Sequence, residues 1–293
     1  MKRFFACLSF FISLSTFAVT VQDSQGSFSI DYVPQRIVVL EFSFVDALAI
    51  VGVSPIGIAD DKDSARISPE IRALITPWES VGTRSQPSLE VISSLKPDLI
   101  IADFSRHQTV YKDLQKIAPT LILPSRREPY QSNLKAAAII GKVLDKEDAM
   151  QARLAKHKEI MQGFADQLPK GIEVQFGNAM EKHASLHPGK SYVGSLLQSL
   201  GFKTPPMLEN EVSSVHTGLE QLLASNPEYL ILGHYTSSDI SDTWQKSPLW
   251  KILKAVRNEH VYHIYNPSIW SRSRGVVAAE SIAGQLVELL TSK

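Results

Sequence analysis

Arginine keeps its charge at any accessible pH and offers a planar fork of donors that fits a carboxylate. In this chain arginines recur directly after apolar runs that read as buried strands. Arg84 follows the run at 80–82, Arg106 and His107 follow 99–102, and Arg126 and Arg127 follow 120–123. His234 and Tyr235 follow 229–232, and Trp270, Arg272 and Arg274 come after 261–264. Ligands of open α/β sheets bind beyond the carboxyl ends of the strands, so these loops should converge on one cleft. The loops hold arginine almost exclusively and carry no evident matching acids. The expected ligand is therefore an anion with several carboxylates. Any one of these arginines reads equally well as a solvated loop residue; the set carries the inference.

Other chemistry finds less support. His183 and His187 are four apart, and His260 and His263 three apart, so either pair could hold zinc. Neither has a third ligand close by, and surface or core histidines are the plainer reading. A metal-assisted hydrolase using His183 and His187 stands as the enzyme alternative. GxGxxG, GxxxxGK[ST] and GxSxG are all missing, so dinucleotide, P-loop and hydrolase readings lack their loops.

The elements that must position these residues show a duplication. Residues 88–101 read SLEVISSLKPDLII and residues 218–231 read GLEQLLASNPEYLI. Each copy predicts a short helix, a stop before Pro97 or Pro227, and a buried strand. Glu90 sits in the first turn after a possible Ser88 cap, and Glu220 fits a capping box with Thr217. Strand and helix alternate through both halves, which predicts an α/β fold of two lobes, each with a mostly parallel sheet wrapped by helices. Between the halves, residues 146–168 predict one helix of roughly 35 Å, long enough to bridge two lobes. The expected division is 1–18 leader, 19–144 first lobe, 145–168 bridge and 169–293 second lobe. Residues 19–29 predict a small hairpin.

With 293 residues, 44% hydrophobic and 20% charged, the composition is that of a folded globular protein. Lys2 and Arg3 precede an apolar run at 4–17, and Thr16-Phe17-Ala18 fits a small-x-small cleavage site. The expectation is an export signal too short for a membrane span. Removing it leaves 28 basic against 30 acidic residues and no cysteine, since Cys7 lies in the leader. A near-neutral chain gives no basic excess for nucleic acid.

Several of these stretches together resemble one family. They are PQRIVVLEFSFVDALA, VGTRSQPSLEVISSLKPDLIIAD, SRH, GLEQLLASNP and a terminal W-x-R-x-R-G. Over nearly the whole chain after the leader they are similar to the iron-siderophore periplasmic binding proteins of ABC importers. IGIADD, VGTR-x-QPSLE and ADxSRH resemble the ferric-citrate branch in particular. The resemblance implies two lobes joined by one long helix, a cleft between them with little closure, and a monomer that acts as a carrier in the periplasm, not an enzyme. It implies ferric citrate as ligand, held by Arg84, Arg106, Arg126, Trp270, Arg272 and Arg274, with Tyr235 and His234 beside them and Ser43 and Phe44 on the floor. Citrate oxygens already hold the iron, so no cofactor and no protein metal ligand is implied. Glu90 and Glu220, one per lobe, would dock onto arginines of an inner-membrane ABC permease dimer. A carrier for another iron chelate, hydroxamate or catecholate, is the nearest alternative. Residues 180–188 and 207–215 depart from the family pattern, which leaves the second lobe's wall open.

Overall fold

The computed structural model describes residues 18–208, 211 and 213–291. The leader expected at 1–18 therefore lies outside the described residues except for Ala18. The chain opens with an antiparallel hairpin, β1 (Val19–Asp23) and β2 (Gly26–Ile30), as its alternation predicts. Two five-stranded sheets follow, one in each half of the chain.

The first sheet holds β3 (Ile37–Val39), β4 (Gly57–Ile58), β5 (Glu79–Ser80), β6 (Leu99–Asp103) and β7 (Thr120–Leu123). All its pairs are parallel, in the order β5-β4-β3-β6-β7. Leu99, Ile100 and Ile101 are fully buried, so helices cover both faces, as parallel sheets require. Each such side chain contributes about 2 kcal/mol of burial.

The second sheet holds β8 (Val174–Ala179), β9 (Ala184–Leu186), β10 (Val215–Thr217), β11 (Tyr229–His234) and β12 (Val261–Tyr265), in the order β10-β9-β8-β11-β12. Its order repeats that of the first sheet, so the duplication seen in the sequence extends to topology. Strand β9 differs, running antiparallel to both β8 and β10. The reason is the connection. Residues 180–183, closed by Met180 N–H donating to the His183 carbonyl at 2.8 Å, are too short to cross back to a parallel strand.

The helix Glu147–Ala165 runs between the halves. Its 19 residues span roughly 28 Å, shorter than the sequence predicts. Met150 near its start lies in the first core, and Met161 and Ala165 near its end lie in the second. The last helix, Val276–Thr291, does the same. Val277 packs against the first core, and Ala279, Ile282, Ala283 and Leu286 fill the second. Two helices thus tie the lobes where the sequence predicts one.

Other departures are local. The sequence predicts a helix over 109–117, and the structure forms it as Tyr111–Gln115; a further short helix, Phe104–His107, precedes it, capped by the Asp103 carboxylate accepting from Arg106 N–H. The sequence predicts one helix over 243–256; the structure forms Ile240–Trp244, Pro248–Ile252 and Lys254–Arg257 instead, with Ser247 and Pro248 starting a new turn. Glu220 is not the capping-box partner of Thr217. The N-cap is Gly218, whose N–H donates to Gln221 Oε1 at 3.1 Å, and Glu220 is exposed in the first turn. At the first copy Ser88 caps as expected, accepting from Val91 N–H at 3.3 Å, and Glu90 is exposed beside it.

Candidate functional site

The segments that follow strands of both sheets line one cleft of about 570 Å³, inside the size range of small-molecule sites. Arg84, Arg106, Arg126, Arg127, Arg272 and Arg274 reach it, together with Tyr235 and Trp270. Positions separated by up to 190 residues in the sequence therefore share one wall, as the strand-end argument expects.

The expectation that these arginines lack matching acids fails for Arg84, Arg106 and Arg274, whose acids come from outside their own loops. Glu41, at the end of β3, is fully buried and touches three of them. Its Oε1 accepts from Arg84 Nη1 at 3.0 Å and lies 2.8 Å from Arg274 Nη2; its Oε2 accepts from Arg106 Nε at 3.0 Å. The Arg274 contact is an ion pair without hydrogen-bond alignment. Asp61, in the left-handed region at φ 62°, holds Arg84 a second time through Nε at 3.1 Å and Nη2 at 2.8 Å. Sequence reading missed both acids. Glu41 lies 43 residues before Arg84, and only the pairing of β3 with β4 and β6 brings its neighbours to it.

Arg84 is consequently a structural cation. It lies 3.7 Å over the Phe42 ring, and its remaining contact is the Arg272 carbonyl at 3.3 Å. Burial disfavours its charge, but Glu41 and Asp61 outweigh this and raise its pKa above the ordinary value. The buried Glu41 carboxyl is held far below the usual carboxylate range, because Arg274, Arg84 and Arg106 together outweigh its desolvation.

Arg126, Arg127 and Arg272 make no ion pair among the described residues. Burial pushes the Arg126 guanidinium below its ordinary pKa, and the nearby Arg106, Arg127 and Arg274 push it further. Positive charge gathered without a counter-charge is the electrostatic signature of an anion site. Arg272 stacks 4.3 Å over the Tyr235 ring, and the Tyr235 hydroxyl bonds the Ser271 hydroxyl.

The first lobe's wall is held by a short network. The Asp103 carboxylate accepts from the backbone N–H of Arg106, Ser125 and Arg126 at 2.9–3.0 Å, locking two of the loops together. His107 Nδ1 accepts from Asp103 N–H at 3.0 Å, which fixes Nε2 as the donor to the Arg84 carbonyl at 2.7 Å. Arg274 Nε donates to Ser125 Oγ at 3.3 Å.

Three expectations change. Trp270 reaches the cleft but is only 1% exposed, packed on Phe176 and donating to Gln285 Oε1 at 2.7 Å, so it shapes the wall from behind. Phe44 belongs to the first core, and Ser43 is buried against Ser125 Oγ at 2.7 Å, so neither lies on the floor. His234 is not among the residues that line the cleft; its ring nitrogens bond Asp239 Oδ2 at 2.6 Å and His263 Nδ1 at 2.8 Å.

The second lobe's wall, open in the sequence, holds Asn178, His183, His187 and His216. Rings of His183 and His216 lie 4.2 Å apart, and His187 Nε2 bonds Asn178 Nδ2 at 3.1 Å. Histidine 216 had no signal in the sequence, because it arrives through the β9–β10 pairing. Among the described residues no group of three His, Cys, Asp or Glu could hold a metal ion. No helix among them is long and apolar enough to cross a membrane.

Residues 37–267 match the model of a family described as periplasmic binding protein. Over 289 residues the chain is 52% identical to the Fe(3+) dicitrate-binding periplasmic protein FecB of Escherichia coli (strain K12), covering 99% of this chain and 95% of the relative. It is 40% identical over 275 residues to the Fe(3+)-citrate-binding protein YfmC of Bacillus subtilis (strain 168), covering 93% and 86%. The fold is similar to that of Staphylococcus aureus SirA complexed with staphyloferrin B, with a TM-score of 0.82 at 24% identity over 93% of this chain and 98% of that one. These relatives are binding proteins and not enzymes, which removes the hydrolase alternative. By that match, and by an architecture of two α/β lobes around a cleft, the chain belongs to the periplasmic binding protein family.

Proposed function

We propose that the protein captures ferric citrate outside the cytoplasm, in the periplasm, and delivers it to an inner-membrane ABC permease. The carrying observation is the cleft in which Arg126, Arg127 and Arg272 stand without acid partners among the described residues. Guanidinium forks suit the carboxylates left at the surface of an iron–citrate complex. Similarity to two relatives named for binding iron citrate supports the same cargo. Iron is cargo in this reading, enclosed by citrate oxygens, and the protein supplies no ligand to it and needs no cofactor. Arg126 and Arg272 bind carboxylate, Arg106 and Arg274 contribute their outer donors, and Tyr235 orients Arg272 through stacking. Arg84 and Trp270 support the wall.

The carrier acts as a monomer, and Glu90 and Glu220 dock it on the permease. Both glutamates are exposed, at matching first turns of the repeated helix in each lobe. Charged groups at an interface rim set encounter rate and register. The cargo assignment is tested by titrating the purified protein with ferric citrate while following tryptophan fluorescence. Saturable binding is expected, with free citrate in excess competing. Tighter binding of a neutral hydroxamate chelate would contradict the assignment.

A further inference from the structure

Both oxygens of the buried Glu41 carboxylate are engaged by protein donors. Phe42 N–H donates to Oε1 at 3.0 Å, Arg84 Nη1 donates to the same oxygen, and Arg106 Nε takes Oε2. With no exposed surface, it has no free oxygen to offer iron or cargo. Its contacts lie on the inner edges of two guanidiniums that still have donors to spare. Arg106 spends Nε on Glu41, and its two Nη atoms make no hydrogen bond or ion pair among the described residues. Arg274 spends Nε on Ser125 and sets Nη2 against Glu41, which leaves Nη1 without a hydrogen bond or ion pair among the described residues.

Three guanidiniums gathered around one point repel each other and, on four-bond stems, would spread into solvent. One carboxylate behind them cancels part of that repulsion and fixes where each fork points.

We infer that Glu41 is a positioning residue for the cargo: it clamps Arg106 and Arg274 from behind, so that their remaining donors face the cleft before any ligand arrives. This rests on the carrier reading above. Its consequence is that the ordering cost of long side chains is met on folding and not on binding. The backbone bond from Phe42 fixes the clamp itself, since Glu41 is also the N-cap of the helix Phe42–Ala49. That explains why a glutamate standing between a strand and a helix reaches sideways across the sheet ends and not outward to water.

The test is calorimetric titration of ferric citrate into the wild-type protein and its Glu41→Gln and Glu41→Asp variants. Glu41→Gln keeps the acceptor shape and removes the charge, and should weaken affinity about ten- to hundredfold at unchanged stoichiometry. Glu41→Asp keeps the charge on a shorter stem and should recover part of the loss. If Glu41→Gln does not fold, Glu41→Asp carries the test, with weaker affinity at full stoichiometry expected. A variant that binds with wild-type or tighter affinity overturns the inference and leaves the carrier reading intact. A lowered stoichiometry at wild-type affinity also overturns it, since Glu41 would then serve folding alone. Absence of binding by the wild type would instead remove the carrier reading itself.

Discussion

At the scale of single residues the cleft is a balance between cations that are spoken for and cations that are not. Glu41 and Asp61 hold Arg84, Arg106 and Arg274 on one side, while Arg126, Arg127 and Arg272 make no ion pair among the described residues and are the proposed contacts for the ligand. The histidines of the opposite wall add a pH dependence. Burial, and after it the Arg274 guanidinium, push the His187 imidazole down to about 4. The folded protein thus refuses a proton that the unfolded chain accepts below the ordinary value of 6.5. His187's contribution to stability falls as pH drops from 6.5 toward 4, by on the order of 2 kcal/mol once solvent screening in the cleft is counted. Urea denaturation at pH 7 and pH 5 should show the wild type losing stability on acidification relative to His187→Gln, a comparison in which the contributions of all other groups cancel. An equal fall in both would contradict this. The arginines themselves were legible in the sequence, because a strand end followed by a guanidinium is a local pattern. Their counter-ions were not. Glu41 sits at a helix start where an acid is ordinary, and nothing in the linear order says which loops it will face.

Elements rather than residues decide how the lobes are held. The last helix begins in the first lobe's grasp: the Asp46 carboxylate, on the helix Phe42–Ala49, accepts from the backbone N–H of Val276 at 2.9 Å and Val277 at 3.0 Å. Gly275, at φ 136°, allows this, since a Cβ there would meet Asp46 Cγ at 2.6 Å. Farther along the helix, Glu280 accepts both Arg153 Nη atoms at 2.7 and 2.8 Å and pairs with His157 Nδ1 at 2.7 Å, binding the two lobe-spanning helices to each other. Burial raises Asp46 to about 7, against the pull of the backbone N–H groups of Val276, Val277 and Ala278, the last donating at 3.4 Å. Its sign is opposite to that of His187. Between the ordinary 3.8 and about 7 the folded protein binds a proton that the unfolded chain has released, so stability falls as pH rises through that window. Asp46→Asn should match the wild type within about 1 kcal/mol at pH 5 and lose that dependence above it. Denaturation midpoints that track the wild type at every pH would contradict the cap. The contact joins positions 230 apart, and no sequence period announces it. The repeat, by contrast, was readable because helix, proline stop and strand are local signals. The antiparallel β9 was hidden in a stretch of 180–188 that no strand pattern marked.

For the whole molecule, two sheets of the same strand order carry the same helix start at matching places, and each presents one exposed glutamate. In the proposed docking these two glutamates are equivalent handles for a permease dimer. Glu90→Ala and Glu220→Ala should leave ferric citrate affinity unchanged and reduce uptake in a transport assay, the double variant more than either single one. Normal uptake by the double variant would refute the docking role. The central claim is that dispersed guanidiniums meet in one pocket to hold an iron-bound polycarboxylate. Calorimetry of ferric citrate with Arg126→Gln and Arg272→Gln tests it most directly. Each lost charge-assisted contact should weaken binding about tenfold or more, with the effect shrinking as salt is raised. Wild-type affinity in both variants at low salt would contradict it.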